Sequence, residues 1–163
     1  MLIRSLCALA VLCIFLLGCA SAGNKSSLCL QDDNALTCLK ENFEGLYAQN
    51  YNRFWNIANR AASEAEKCNS PDNTAAFLYL VRIKKGNAEF NEFFSGVIER
   101  LVTEKTDCLL VALTRMELVS QRLIMGELKH PLFAESAAIE KAFRAAGEGR
   151  YKSTVNLYFE QRE

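Results

Sequence analysis

From residue 34 onward, apolar side chains return every three or four positions and strand-like alternation is missing, so the chain reads as a succession of amphipathic helices. Only two prolines and eight glycines interrupt 163 residues. The clearest helix is predicted from Asn87 to about Glu104, where Phe90, Phe93, Phe94, Val97, Ile98, Leu101 and Val102 share one face and Asn87 caps the first turn. Before it lies Thr74 to Lys85, introduced by Pro71-Asp72-Asn73 and stopped by Lys84-Lys85-Gly86, with cations suited to the negative end of the helix dipole. Tyr51, Phe54, Trp55, Ala58, Ala62 and Ala65 mark a helix from about Tyr51 to Lys67, and a shorter one precedes it from about Asn34 to Ala48. Asp107 is expected to cap one long buried helix, Cys108 to Leu128, ended by His130-Pro131. Two more follow, one around Ile139, Ala142, Phe143 and Ala146 that stops at Gly147, and one from Tyr151 to about Gln161.

Seven helices with short connections predict an all-α domain of stacked antiparallel helical hairpins, either repeat-like or an irregular bundle. Two internal similarities favour stacking. Residues 73–78 and 106–111 lie 33 positions apart, and Asn50-Tyr51 with Asn56-Ile57 lies 100 positions before Arg150-Tyr151 with Asn156-Leu157. Gly149-Arg150-Tyr151, with Val155 and Tyr158, resembles the start of the second helix of a tetratricopeptide repeat, which implies a 34-residue helix–turn–helix unit. Phe54 and Thr154 stand where that family prefers alanine, and its Trp-Leu-Gly start is missing.

The first residues read differently. One cation, Arg4, precedes an apolar run from Leu6 to Leu17, followed by small or polar residues from Gly18 to Ser27. Twelve apolar residues fall short of the roughly 20 a membrane-spanning helix needs, so an export signal is expected rather than a retained anchor. Leu16-Leu17-Gly18-Cys19 closes that run and resembles the lipobox of bacterial lipoproteins. The resemblance implies cleavage before Cys19, with a diacylglycerol and an N-acyl chain such as palmitate on that cysteine. Two or more chains suffice for stable anchoring. An ordinary cut near Ala20 or Ala22 is the alternative. Ala20, not being Asp, points by the same resemblance to the outer membrane, facing the periplasm. The expected organisation is therefore a signal over 1–18, a lipidated tether over 19–27 and one helical domain over 28–163. Residues Ala20 to Ser27 span at most about 26–29 Å when extended.

With Cys7 and Cys13 leaving with the signal and Cys19 acylated, the seven cysteines reduce to Cys29, Cys38, Cys68 and Cys108. Four in an exported chain predict two disulfides. Cys68 ends one helix before the Gly86 hairpin and Cys108 follows it, so the two are expected to meet at one pole. Cys29 then pairs with Cys38. In one continuous helix those two would stand about 13.5 Å apart, beyond the roughly 7 Å a disulfide tolerates, so a turn near Gln31–Asn34 is required.

With Arg4 removed, 18 Lys and Arg face 19 Asp and Glu, leaving no basic excess for nucleic acid. Zinc sites need closely spaced ligand pairs, which these cysteines lack, and no phosphate loop or cofactor motif is found. His130 is the only histidine, so it would have to serve any Ser-His or Cys-His pair, and its place before Pro131 suits a helix C-cap better. Glu135-Ser136 is similar to the Glu-Ser pair of lytic transglycosylases, without the rest of that signature; a solvated first turn is the plainer reading. The amide-rich side of Tyr47 to Arg60 offers Asn52, Arg53, Asn56, Asn59 and Arg60 as a recognition surface. These features lead to a non-enzymatic, envelope-anchored module that binds another envelope protein, of assembly or chaperone type. An immunity or inhibitor lipoprotein against an envelope-acting toxin is the alternative, and a peptidoglycan-modifying enzyme the third.

Overall fold

The computed structural model describes residues 35–84 and 86–160. The signal segment, Cys19, the tether, Cys29 and the turn expected near Gln31–Asn34 lie outside them. The described residues are all-α, with eight helices: α1 (Ala35–Gln49), α2 (Tyr51–Glu66), α3 (Pro71–Leu78), α4 (Ala88–Glu104), α5 (Thr106–Leu113), α6 (Leu118–Lys129), α7 (Ser136–Ala146) and α8 (Lys152–Glu160). A short 3-10 turn, Tyr79–Arg82, prolongs α3.

Polar side chains set several starts. Helix N-termini leave backbone N–H groups without partners, and Asn50 accepts from Arg53 N at 3.3 Å, Ser70 from Asn73 N at 3.5 Å and Asn87 from Phe90 N at 2.9 Å. Pro71 fills the first position of α3, where a missing N–H costs nothing. Gly86, at φ +73°, makes the turn into α4.

Helix α4 is the axis of the molecule and packs against α2, α5, α6 and α7. Its inner face buries Phe90, Phe94, Val97, Ile98, Leu101 and Val102 completely or nearly so. Phe43, Phe54 and Phe90 meet edge-to-face with ring centroids 4.8 to 5.7 Å apart, and Phe77 of α3 stacks on Phe94 at 5.4 Å. Helix α3 packs chiefly on α2 and α5, and α6 on α8.

The sequence reading needs correction in three places. The stretch Cys108 to Leu128 is two helices rather than one, broken across Thr114–Glu117, and α5 starts at Thr106, ahead of Asp107. At the break, side chains satisfy backbone groups that the next helical turn would otherwise hold: Thr114 Oγ1 donates to Val111 O at 2.7 Å and Gln121 Nε2 to Met116 O at 2.9 Å. Second, the helix expected from Thr74 to Lys85 begins at Pro71 and tightens after Leu78, Lys85 itself lying outside the described residues. Third, Lys84, expected as a cation in the last turn of that helix, lies past it and turns inward. It is 7% exposed, pairs with Glu127 of α6 at 2.8 Å and lies 5.2 Å from the centre of the Phe94 ring.

Cys68 and Cys108 form the expected disulfide, with Cα atoms 5.9 Å apart. Cys38 is buried and disulfide-bonded as well.

Candidate functional site

Helices α2 and α4 do not close on each other along their full length. Tyr51 and Trp55 occupy successive turns of α2, while Glu89, Glu92, Phe93, Gly96 and Arg100 recur at helical spacing on one side of α4. Between them lies a groove of about 460 Å³, and Phe133, from the loop between α6 and α7, forms its remaining wall.

The apolar part of the groove is aromatic. The rings of Tyr51 and Trp55 have centroids 6.2 Å apart and planes at 71°; Trp55 and Phe93 stand at 5.2 Å and 78°. The three rings thus form a corner rather than a flat wall. Phe133 covers Gly96 closely: a Cβ at that glycine would stand 3.4 Å from Phe133 Cε2. That distance is ordinary van der Waals contact, so the Phe133 ring lies directly over the glycine.

Charged groups frame this corner. Tyr47 donates its hydroxyl to Glu89 at 2.9 Å, and Tyr51 donates to the other carboxylate oxygen. Both phenols are held above their ordinary pKa, chiefly because Glu89 accepts their protons in hydrogen bonds and secondarily because they lose hydration. Glu92 is exposed and makes no hydrogen bond or ion pair among the described residues. At the other end Arg100 is engaged by Glu66, with Nη2 and Nε at 2.7 and 2.8 Å from one carboxylate oxygen.

The wall carrying Phe133 is fixed by an unusual anchor. Glu99, next to Arg100 on α4 and only 3% exposed, accepts three backbone hydrogen bonds from one loop: Leu132 N at 2.8 Å, Phe133 N at 2.8 Å and Ala134 N at 2.6 Å. Three N–H groups converging on a carboxylate give a buried charge the partners it needs. The side chains they leave outside, Leu132 and Phe133, are 61% and 62% exposed.

Asn52, Asn56, Asn59 and Arg60 are exposed on the outer side of α2 and Arg53 is half-buried there; none lines the groove. Arg60 is paired with Glu64 at 3.2 Å. The aromatic half of the Tyr47–Arg60 segment, not its amide half, contributes to the groove. Phe54 packs fully inward, whereas Trp55 is only half-buried. Sequence reasoning missed Phe133, Gly96 and Glu99. An aromatic residue two positions past the helix-ending Pro131 and a glycine inside the long helix α4 were the available signals. His130 ends α6, its backbone N–H on Glu127 O at 3.1 Å and its side chain exposed, and Glu135 stands exposed at the start of α7.

A second, wider depression of about 850 Å³ adjoins the Cys68–Cys108 disulfide. Alanines of α7 and exposed charges line it, so it offers no large apolar anchor. Among the described residues no group of three His, Cys, Asp or Glu is arranged to hold a metal, and no helix is long and apolar enough to cross a membrane. The chain matches no protein-family model, and neither curated proteins nor solved structures give a match.

Proposed function

We propose that this chain is a non-enzymatic protein-binding module of the bacterial envelope, held at the outer membrane by a lipidated Cys19, which receives part of a partner protein in the groove between α2 and α4. The second disulfide, Cys29 to Cys38, and a repeat-like stacking of hairpins belong to the same proposal. The observation that carries the binding reading is the Glu99 anchor. A buried carboxylate is committed to holding one loop so that Leu132 and Phe133 face solvent, Phe133 in the groove lined by three other aromatic rings. Exposed apolar side chains held in a fixed position suit recognition, since an anchor ordered in advance loses little entropy on docking. Aromatic anchors also dominate the energetics of protein interfaces.

The test has two arms. Cys19→Ala is expected to move the protein from the membrane fraction to the soluble envelope fraction, and intact-mass measurement of the natural chain is expected to give a start at Cys19 with acyl chains added. In the second arm, the lipidated chain and its Phe133→Ser variant capture partners from envelope extract in parallel. Phe133 is largely exposed, so the variant keeps the fold, which circular dichroism checks. A partner held by the natural chain and lost with Phe133→Ser supports the proposal; equal capture by both rejects the groove. A captured toxin would make the module an inhibitor rather than an assembly factor.

A further inference from the structure

We propose that the α2–α4 groove takes a cationic side chain, Lys or Arg, of an extended peptide segment in the partner, with an apolar neighbour of that residue lying against Phe133. The inference rests on the protein-binding reading above and specifies the chemistry of its ligand.

Charge balance at the rim gives the sign. Glu89 and Glu92 stand at one end of the groove, and no cation faces them among the described residues. The cation at the other end, Arg100, is already neutralised by Glu66. Glu89 is held in place by the two tyrosine hydroxyls, neither of which brings positive charge. Among the described residues the rim therefore has unbalanced negative charge where a ligand would enter.

The walls favour the same ligand. Aromatic faces carry negative electrostatic potential and attract a cation placed over them, most strongly in the case of tryptophan. Tyr51, Trp55 and Phe93 meet at steep angles, so a guanidinium or ammonium lodged in their corner lies near more than one ring. The methylene stem of Lys or Arg would cover apolar ring surface while its head stays by the carboxylates. The groove's volume of about 460 Å³ is ample for one long side chain and a neighbour.

Trp55 is the only tryptophan of the chain, so its emission reports the groove directly. The full lipidated chain in detergent micelles is titrated with acetyl-Phe-Arg-amide, with the same dipeptide carrying citrulline in place of arginine, and with acetyl-Phe-Glu-amide. The arginine peptide is expected to change Trp55 emission saturably, and more weakly as salt is raised. Citrulline is expected to weaken binding roughly tenfold, as loss of a cation from ring faces and a carboxylate would. Glu92→Gln, at an exposed position that leaves the fold intact, should weaken the arginine peptide about threefold to fivefold and leave the citrulline peptide unchanged. Equal binding of arginine and citrulline, tighter binding of the glutamate peptide, or no response of Trp55 to the arginine peptide at millimolar concentration would overturn the inference. If Trp55 is silent while Phe133→Ser still loses the partner, the cation is wrong and the protein-binding groove stands. Arginine-peptide binding with partner capture indifferent to Phe133→Ser would leave the cation site and remove the function proposed for it.

Discussion

Glu99 shows how much one side chain can decide. Nothing in its sequence neighbourhood, Val97-Ile98-Glu99-Arg100-Leu101, separates it from an ordinary solvated helix glutamate, and its loop partners lie 33 to 35 positions away. Burying a carboxylate without partners is prohibitive, and here three N–H donors make it tolerable. Glu99→Gln keeps the shape but removes the charge and turns an N–H₂ group toward N–H donors. The expected loss is about 2 kcal/mol, close to the value of a hydrogen bond to a charged group, seen as a lower urea midpoint with an unchanged slope. The same residue explains the limit of sequence reading at the site. Tyr51 and Trp55 stood out in the sequence only as the apolar, inward side of their helix, opposite the amide face offered for recognition, and Phe133 joins them through a contact between distant segments that the sequence does not show.

At the scale of elements, legibility follows the type of signal. Helix α4 was readable almost to the residue because its apolar stripe and its cap agree: Asn87 starts it and Gly86 precedes it in a left-handed turn. Helices α5 and α6 were read as one because no proline or glycine separates them; the break rests on side-chain hydrogen bonds from Thr114 and Gln121, which leave no periodic trace. The outer face of α2 was correctly seen as polar, yet polarity alone does not tell a recognition face from a wet one. Asn87→Ala is expected to cost about 1 kcal/mol, since Phe90 N loses its acceptor at the start of the central helix. Thermal or urea unfolding of the single variant measures it.

Across the whole molecule, the all-α class and the Cys68–Cys108 bond were both legible from sequence, the second because helix order placed the two cysteines at one pole. The bond ties the end of α2 to the start of α5 across a sequence separation of 40. Closing a loop of that length stabilises the fold by about 4 kcal/mol on the chain-entropy account. Cys68 adds a local term, because it sits at φ +57°, a left-handed position past the end of α2 that L residues occupy reluctantly. Two double variants separate these contributions. Replacing Cys68 and Cys108 both by Ala should lose most of the 4 kcal/mol, whereas Gly at 68 with Ala at 108 should recover about 1 kcal/mol of it by removing the strained Cβ. Equilibrium denaturation of the two proteins side by side gives the difference.

For the binding role proposed above, the loop clamped by Glu99 would also set the tempo of an encounter. Because Leu132 and Phe133 are already ordered, a partner need not wait for that wall to assemble, and association is expected to run at the pace of diffusion biased by the acidic rim. Partners that differ in their fit to the aromatic corner would then arrive at similar speeds and differ in how long they stay. Selection on this surface would act on residence time.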